Sequence, residues 1–186
     1  MTPDSSPAET QFRSQLKAAR RGDEQAWSSL YRWLAPQVLG YLRASRVSDA
    51  EDILGAVFVE VARKIGTFRG DAAGFRAWVF TIARTRRVDE IRRWARRREE
   101  PLDTGIHEAI PSRVDVEGEA LSTLALDELL DILDLLTEDQ REVLILRALG
   151  GWTSSQVAEV TGRTVGAVEQ LQLRARRALQ EVLGET

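Results

Sequence analysis

The sequence predicts an all-α protein made of two small helical domains joined by an acidic flexible linker. Apolar residues recur at spacings of three and four, and no alternating run of useful length indicates a strand. The stretches Ser48 to Glu51, Thr137 to Gln140 and Thr153 to Gln156 have the S/T-x-x-E/Q form of a helix capping box. Proline and glycine interrupt the periodicity between residues 101 and 118, which predicts the linker.

A chain of 186 residues is long enough for one medium domain or for two small domains with modest cores. The linker favours two domains. The predicted boundaries are residues 11–98 for the first domain, 99–121 for the linker and 122–184 for the second domain.

The composition argues against an enzyme. There is no cysteine and a single histidine, His107, which excludes disulfides and thiolate metal sites and leaves no cluster of nucleophile and base. No apolar run approaches the roughly 18 residues of a membrane span, and the segment from Met1 to Thr10 is polar. We expect a cytoplasmic protein with no catalytic residue, cofactor, bound metal or membrane insertion.

The charges are segregated along the chain. Residues 69–98 hold ten arginines against three acids, whereas residues 99–139 hold thirteen acids against Arg113 alone. A basic block beside an acidic block indicates a polyanion-binding surface next to a segment that repels nucleic acid or occupies a basic channel in a partner.

Residues 156–182 have the pattern of a helix-turn-helix, with a tight turn at Gly162. The predicted packed side of the second helix consists of Val168, Leu171, Ala175, Ala178, Leu179 and Val182. The predicted outward side consists of Gly166, Gln170, Leu173, Arg174 and Arg177. On that side Gln170 suits adenine, Arg174 suits guanine or phosphate, and Leu173 suits a thymine methyl group. The alternative is an ordinary helical hairpin with solvated arginines.

A helix is predicted from about Phe75 to Arg98. Its packed stripe consists of Phe80, Ala83, Val88, Ile91, Trp94 and Ala95, and its polar face of Thr85, Arg86, Asp89, Arg92, Arg93 and Arg96. We expect this face to neutralise phosphates, with Asp89 orienting Arg92 and Arg93. The alternative is a solvated charged face.

The loop before this helix carries Arg69, Gly70 and Asp71, with Phe75 and Trp78 just after it. The two aromatic side chains are suited to receive an unstacked base. They suit a hydrophobic core equally well, so the sequence leaves both interpretations open.

The helix predicted from Asp49 to Ile65 is apolar on two sides. Its core stripe consists of Leu54, Val57, Phe58, Val61 and Ile65. Its opposite side consists of Gly55, Ala56, Val59 and Ala62, flanked by Asp52 and Arg63. An open apolar patch indicates a protein partner. The alternative is that another helix of the same domain covers it.

From about Ala26 to Leu183 the chain resembles the extracytoplasmic-function (group IV) sigma factors of RNA polymerase, with their sigma-two and sigma-four domains. The matching strings are Ser48 to Asp52 with Phe58; Thr67 to Asp71 with Phe75, Ala77 and Trp78; Ile82 to Arg84 with Asp89, Arg92 and Arg93; Leu136 and Thr137 with Gln140 to Val143; and Arg174 to Arg176. The chain departs from the family pattern at Gly55 and Ala56, at Thr85, and at Glu169 and Leu171.

The resemblance implies a factor that directs core RNA polymerase to promoter DNA. Residues implied in reading the minus-ten element are Arg69, Asp71, Phe75, Trp78, Arg84, Thr85, Arg86, Asp89, Arg92, Arg93 and Arg96. Residues implied in reading the minus-thirty-five element are Arg163, Thr164, Gly166, Glu169, Gln170, Leu173, Arg174 and Arg177. Residues implied in docking on the β′ clamp helices are Asp49, Asp52, Gly55, Ala56, Val59, Ala62 and Arg63.

The resemblance further implies that residues 136–149 meet the β flap, that the acidic linker threads a basic channel of the polymerase, and that an anti-sigma factor is a partner. Two other classes remain. A one-component helix-turn-helix regulator leaves the arginine helix unexplained, and an RNA-binding protein leaves the second reading helix unexplained.

Overall fold

The computed structural model describes residues 7–47, 49–99 and 131–184. Within these ranges the chain forms helices and no strand, which confirms the predicted all-α class. The helices are α1 (Pro7–Ala19), α2 (Glu24–Ala44), α3 (Ala50–Lys64), α4 (Ala72–Glu99), α5 (Glu138–Gly150), α6 (Ser154–Thr161) and α7 (Val165–Leu183). Residues 131–134 are also helical. Residues 100–121 of the predicted linker lie outside the described ranges.

The first four helices share one apolar core. Leu34 and Val38 of α2, Val57 of α3 and Val79 of α4 are completely buried. The i, i+3 and i+4 spacing of such residues gives each helix an apolar face, and burial of those faces is the main stabilisation of the group.

Two side chains near the junction of α1 and α2, Arg20 and Trp27, form hydrogen bonds with backbone carbonyls of adjacent segments. The indole Nε1 of Trp27 donates to the Ala19 carbonyl at 2.9 Å and so holds the start of α2 on the end of α1. The guanidinium of Arg20 donates to the carbonyls of Ile65 and Phe68, which holds the loop between α3 and α4 in place.

Helices α6 and α7 form the predicted helix-turn-helix, and α5 packs on both. Thr137 and Thr153 each accept a hydrogen bond from the N3 backbone N–H, and Gln140 and Gln156 each accept one from the cap backbone N–H, so both predicted capping boxes are confirmed. The turn passes through Gly162 at φ +68°, a left-handed conformation that glycine adopts with little strain.

The capping box predicted from Ser48 to Glu51 is wrong. Helix α3 begins at Ala50, its cap position is Asp49, and the Asp49 side chain forms no hydrogen bond with the first turn. Glu51 instead accepts a hydrogen bond from Arg43 at 2.5 Å. The sequence pattern was misleading here because Glu51, which would complete a capping box, forms an ion pair with Arg43 of α2 instead. Ser48 itself lies outside the described residues.

The two helical groups pack directly on one another. Helix α4 contacts α6, and α2 contacts α5. Trp152, just before α6, is buried against Phe80 of α4 with ring centroids 4.8 Å apart. Buried residues from both groups therefore belong to one continuous apolar cluster.

In the part of the chain that the structure describes, no helix combines the length and the apolar character that crossing a bilayer requires.

The capping box at Thr153 gives the first prediction. Thr153→Ala removes the acceptor for the Gln156 N–H, and we expect it to lower the free energy of unfolding by about 1 kcal/mol. Urea denaturation followed by circular dichroism measures this change. Ser155→Ala is the control, because Ser155 is exposed in the same turn and is not the capping residue. Equal losses for the two variants would contradict the capping role.

Candidate nucleic-acid interface

Helix α7 presents the predicted outward face to solvent. Thr164 caps the helix by accepting a hydrogen bond from the Ala167 N–H. The predicted reading residues that are exposed on α7 are Gly166, Glu169, Gln170, Leu173, Arg174 and Arg177. Val168 and Ala175 on the other side are completely buried. The wheel prediction is confirmed for Val168, Leu171, Ala175, Ala178 and Leu179, which are buried or partly buried, whereas the side chain of Val182 lies outside the described residues. Leu173, 43% exposed, is an apolar side chain in the middle of a polar face.

Arg163 occupies a different position from the rest of the predicted set. Its guanidinium forms an ion pair with Asp139 on α5 and is partly buried. In this conformation Arg163 therefore connects the turn of the helix-turn-helix to α5.

The C-terminal half of α4 carries exposed arginines. Arg92 and Arg96 are exposed, and Arg93 pairs with Glu90 at 2.6 Å. The prediction that Asp89 orients Arg93 is corrected, because Glu90 at the i−3 position performs that role. Thr85 is exposed and its hydroxyl donates to the Thr81 carbonyl at 2.9 Å.

The packed stripe of α4 is shorter than predicted. Phe80 and Ala83 are buried and Val88 and Ile91 are partly buried, whereas Trp94 is 50% exposed and Ala95 is exposed. The packing of α4 therefore ends before its last described turns, where the arginines lie in solvent.

Carboxylates hold the arginines in the middle of α4. Arg86 bonds Glu60 of α3 through two nitrogen atoms, at 2.9 and 2.6 Å. Hydrogen bonds from Lys64 and Arg86 lower the pKa of the Glu60 carboxyl, so it remains ionised. Arg84 and Arg87 bond Glu142 of α5. These three guanidiniums have fixed directions, whereas Arg92 and Arg96 have no ion-pair partner among the residues whose side chains are described.

The loop between α3 and α4 divides its predicted residues into two kinds. Asp71 is exposed and caps α4 by accepting a hydrogen bond from the Gly74 N–H at 2.7 Å, and Arg69 is exposed. Phe75 is 1% exposed and lies 5.1 Å from Phe68 and 5.6 Å from Trp78 between ring centroids.

Phe75 is therefore a core residue, and its assignment as a base-contacting residue is corrected. Trp33 and Phe12 close the same aromatic cluster around it. Trp78 is only partly buried, so part of its side chain remains accessible. Of the two interpretations that the sequence left open, core packing describes Phe75.

Helix α3 leaves its second apolar side uncovered. Leu54, Val57, Val61 and Ile65 are buried, as predicted, and Phe58 is partly buried. The residues of the opposite side are all exposed: Asp52, Gly55, Ala56, Val59, Ala62 and Arg63. Val59 is 52% exposed, so no other described helix covers the patch. We call this surface the α3 outer face.

A groove of about 920 Å³ borders the α3 outer face. Tyr31 of α2 and Phe58 of α3 stand in it with ring centroids 4.6 Å apart, and Ala62 lies at its edge. Tyr31 is itself exposed. Exposed aromatic and small apolar side chains of this kind are typical of a protein-binding surface.

The described ranges contain no cluster of three or more His, Asp or Glu side chains arranged to hold a metal ion.

Two family models match the chain. Residues 30–98 match Sigma-70 region 2, and residues 126–179 match Sigma-70 region 4. A curated relative, the RNA polymerase sigma factor CarQ of Myxococcus xanthus, is 30% identical over 91% of this chain and 96% of its own length. The ECF RNA polymerase sigma factor RpoE of Cereibacter sphaeroides is 30% identical over 86% of each chain. The chain belongs to the ECF sigma factors.

A third relative is matched over less than two thirds of its own length. The ECF RNA polymerase sigma factor BldN of Streptomyces coelicolor is 33% identical over 90% of this chain, and the match spans 64% of BldN.

Two solved structures share the fold of this sigma factor. CnrH, in complex with the cytosolic domain of CnrY, superposes with a TM-score of 0.69 at 24% identity and covers 94% of this chain and 99% of its own. RpoE of Bartonella quintana, in complex with the anti-sigma factor NepR, has a TM-score of 0.66 at 22% identity, covering 85% and 96%.

Region 2 of this sigma factor comprises most of α2 with α3 and α4, and region 4 comprises α5, α6 and most of α7. Both candidate nucleic-acid faces and the α3 outer face therefore lie within the matched regions. Helix α1 precedes them and packs on α2.

The residues that join the two regions were not predicted from the sequence. Tyr41, Arg87 and Glu142 meet in a buried cluster, and Trp152 is buried in the same interface. Arg87 belongs to the arginine-rich segment, but no periodic pattern distinguishes it from its neighbours, and Glu142 is one of many acids in its segment.

The α3 outer face gives the second prediction. Val59→Glu places a charge on an exposed position, so we expect the protein to keep its helical circular dichroism and to change in stability by about 0.5 kcal/mol or less. Val57→Glu, two residues away on the completely buried side, should unfold the first four helices, because a buried unpaired charge costs several kcal/mol. Thermal melts compare the two, and unfolding of both variants would show that Val59 is internal packing.

Proposed function

We propose that this sigma factor binds core RNA polymerase and directs it to promoters by reading the minus-ten and minus-thirty-five elements. The observation that carries the proposal is the presence of both sigma-70 regions in one chain, each with an exposed face suited to nucleic acid. The polymerase supplies the catalysis, so this chain acts as a specificity subunit and not as an enzyme.

The second half of α4 is proposed as the minus-ten surface. Arg92 and Arg96 are exposed and can neutralise phosphates. At the other end of the helix, Trp78 lies in the second turn, and Arg69 and Asp71 lie in the loop just before the first turn. A strand following this side of α4 would meet phosphate-binding groups, then Thr85, then the accessible part of Trp78. Phe75 supports the loop from the core.

Helix α7 is proposed as the minus-thirty-five reader. Its first turns carry Gly166 and Gln170 on the exposed side, and Arg174 and Arg177 follow. Glycine at the N-terminal end permits close approach to the DNA backbone, and glutamine reads adenine in the major groove through two hydrogen bonds.

The α3 outer face is proposed as the dock for the β′ clamp helices. It is apolar at its centre and has Asp49 and Asp52 at one end and Arg63 at the other, so a partner helix of opposite charge pattern fits in one direction. The β flap is proposed to meet α5.

The proposed units are residues 11–98, an acidic linker over residues 99–121, and residues 122–184. A cytoplasmic location is part of the proposal, because the promoters that the protein would read are chromosomal. An anti-sigma factor is proposed as a further partner, since the fold is shared with RpoE of Bartonella quintana, whose structure contains NepR.

Run-off transcription with core polymerase and promoter fragments from the source genome tests the proposal. We expect specific transcripts only when this chain is present, and loss of both transcripts and polymerase binding for Val59→Glu. DNA binding that needs no polymerase, with no transcript, would indicate a one-component regulator instead.

The third prediction concerns the arginine face of α4. Arg92→Ala together with Arg96→Ala should weaken promoter opening and lower the slope of log affinity against log salt by about one unit for each phosphate that is no longer neutralised. Binding titrations at several salt concentrations measure the slope. The matched control is Lys17→Ala with Arg21→Ala, since these exposed basic residues lie on α1 and just after it and are not among the residues proposed to contact DNA. Identical slopes for the two pairs would reduce the α4 arginines to a solvated surface.

The fourth prediction concerns α7. Gln170→Ala should weaken binding to a preferred minus-thirty-five element by about 1–3 kcal/mol and leave the minus-ten preference unchanged. Competition binding with single-base variants of the element measures the loss. Gln180→Ala, an exposed glutamine near the end of the same helix, is the control. A loss that is the same for every base variant would contradict a reading role for Gln170.

A further inference from the structure

The loop between α3 and α4, residues 65–71, is held by side chains that precede region 2. Arg69, Asp71 and Trp78, which are proposed to read the minus-ten element, lie in this loop or in the first two turns of α4. Region 2 begins at residue 30, so α1 and Arg20 lie before it. The contacts of α1 and Arg20 with the loop therefore come from outside both proposed reading surfaces.

Arg20, the residue that follows α1, binds the backbone of the loop at two points. Its Nε donates to the Ile65 carbonyl at 3.1 Å, and its Nη2 donates to the Phe68 carbonyl. A guanidinium is a rigid planar fork, so these two bonds fix the path of the backbone between Ile65 and Phe68. The bonds span 45 and 48 residues of sequence, so no local pattern predicts them.

Arg69 shares an acceptor with Arg20. Its Nη1 donates to the carbonyls of Gly66 and Phe68, each at 2.7 Å. The Phe68 carbonyl therefore accepts hydrogen bonds from both guanidiniums, and the exposed Arg69 side chain is placed relative to Arg20. Without Arg20, the loop that carries Arg69 loses two of its backbone contacts.

Glu9 of α1 supports the other end of the loop. Its Oε2 accepts a hydrogen bond at 3.1 Å from the N–H of Ala72, the first residue of α4. Asp71 accepts one from the Gly74 N–H, so a distant and a local carboxylate satisfy two of the four N–H groups that the start of a helix leaves free. The other oxygen of Glu9 pairs with Arg13 at 3.0 Å, which orients the carboxylate.

Apolar contacts connect α1 to the same loop. Phe12 is buried with its ring centroid 5.5 Å from that of Phe75, which in turn lies 5.1 Å from Phe68. Gly70 has φ +155°, and a Cβ atom at this position would lie 2.9 Å from the Phe68 ring. The loop therefore passes closely over an aromatic side chain that belongs to the same cluster as Phe12.

We propose that Arg20 and Glu9 are positioning residues for minus-ten reading: they hold the loop in the arrangement in which its exposed side chains distinguish one base from another. Both residues act through backbone groups of the loop and of the first turn of α4. The inference rests on the proposed function of the loop and extends the reading apparatus to α1.

The competing role for Arg20 is a phosphate contact, because its side chain is charged and the residue is exposed. A phosphate contact contributes about one unit to the slope of log affinity against log salt and carries no information about the base. A positioning residue changes base discrimination and leaves the salt slope as it is. The two roles are therefore separable by measurement.

Arg20→Ala is tested in the full chain bound to core polymerase. The probe is a promoter fragment that the run-off assay transcribes, with versions that carry single-base changes in the minus-ten or the minus-thirty-five element. We expect the ratio of affinities for the preferred and the changed minus-ten base to fall by about tenfold, because hydrogen bonds from a charged donor are lost. The ratio for the minus-thirty-five element and the salt slope should stay unchanged.

Arg21→Ala is the matched control, since it removes the same charge from the next residue, which is also exposed. We expect it to change neither ratio. Glu9→Ala should lower the minus-ten ratio in the same direction as Arg20→Ala. Glu9→Gln should restore it, because an amide oxygen still accepts the hydrogen bond from the Ala72 N–H.

Hydrogen–deuterium exchange of the sigma factor alone supplies a readout that needs no promoter. We expect the amides of residues 66–75 to exchange about tenfold faster in Arg20→Ala than in the unsubstituted protein, and the amides of α2 and α6 to keep their rates. Circular dichroism shows whether the helices are intact. If they are not, the Glu9 pair carries the test, and equal minus-ten ratios for Glu9→Ala and Glu9→Gln overturn the proposal.

Three other results would overturn it. A lower salt slope with unchanged base ratios would make Arg20 a phosphate contact, and unchanged exchange of residues 66–75 would show that the loop does not depend on Arg20. A minus-thirty-five ratio that falls as far as the minus-ten ratio would indicate general damage. If the unsubstituted protein gives no transcript, the proposed function fails, while the exchange rates still decide whether Arg20 holds the loop.

Discussion

The carboxylate of Glu142 is the constraint around which the two regions are arranged. A buried negative charge must be matched by donors, and it receives them from two helices of region 2. Because Arg87 is almost as deeply buried, neither residue can leave the cluster without taking from the other its nearest counter-charge. The relative position of α4 and α5 is therefore fixed by ion pairs as well as by apolar packing.

Helix α4 has three parts, which differ in whether their side chains are buried, paired with carboxylates or exposed to solvent. Its first turns belong to the core, where Phe75 and Phe80 are buried. Its middle arginines are held by carboxylates of α3 and α5, which gives them direction but occupies them. Its last turns extend beyond the core, and Arg92 and Arg96 remain open to solvent. The arginines therefore become more available to nucleic acid along the helix as packing diminishes.

The other candidate surfaces are independent of the Glu142 cluster. The α3 outer face is exposed because Tyr31 and Phe58 border it without covering Val59. The outward side of α7 is exposed because Val168 and Ala175 use the opposite side for packing. A partner protein and a DNA duplex can therefore approach these surfaces, whereas Glu60 and Glu142 pair with the arginines in the middle of α4.

Sequence analysis alone predicted the helical class, the two apolar sides of α3, the outward side of α7 and the capping boxes at Thr137 and Thr153. These features follow from the helical period and from bonds within one turn, which are local. The burial of Phe75 could be learned only from the tertiary structure, because an aromatic side chain suits a hydrophobic core and a stacked base equally well. It also decided the contacts of Glu142, because Tyr41 lies 101 residues away and no local pattern records which acid among many enters the interior.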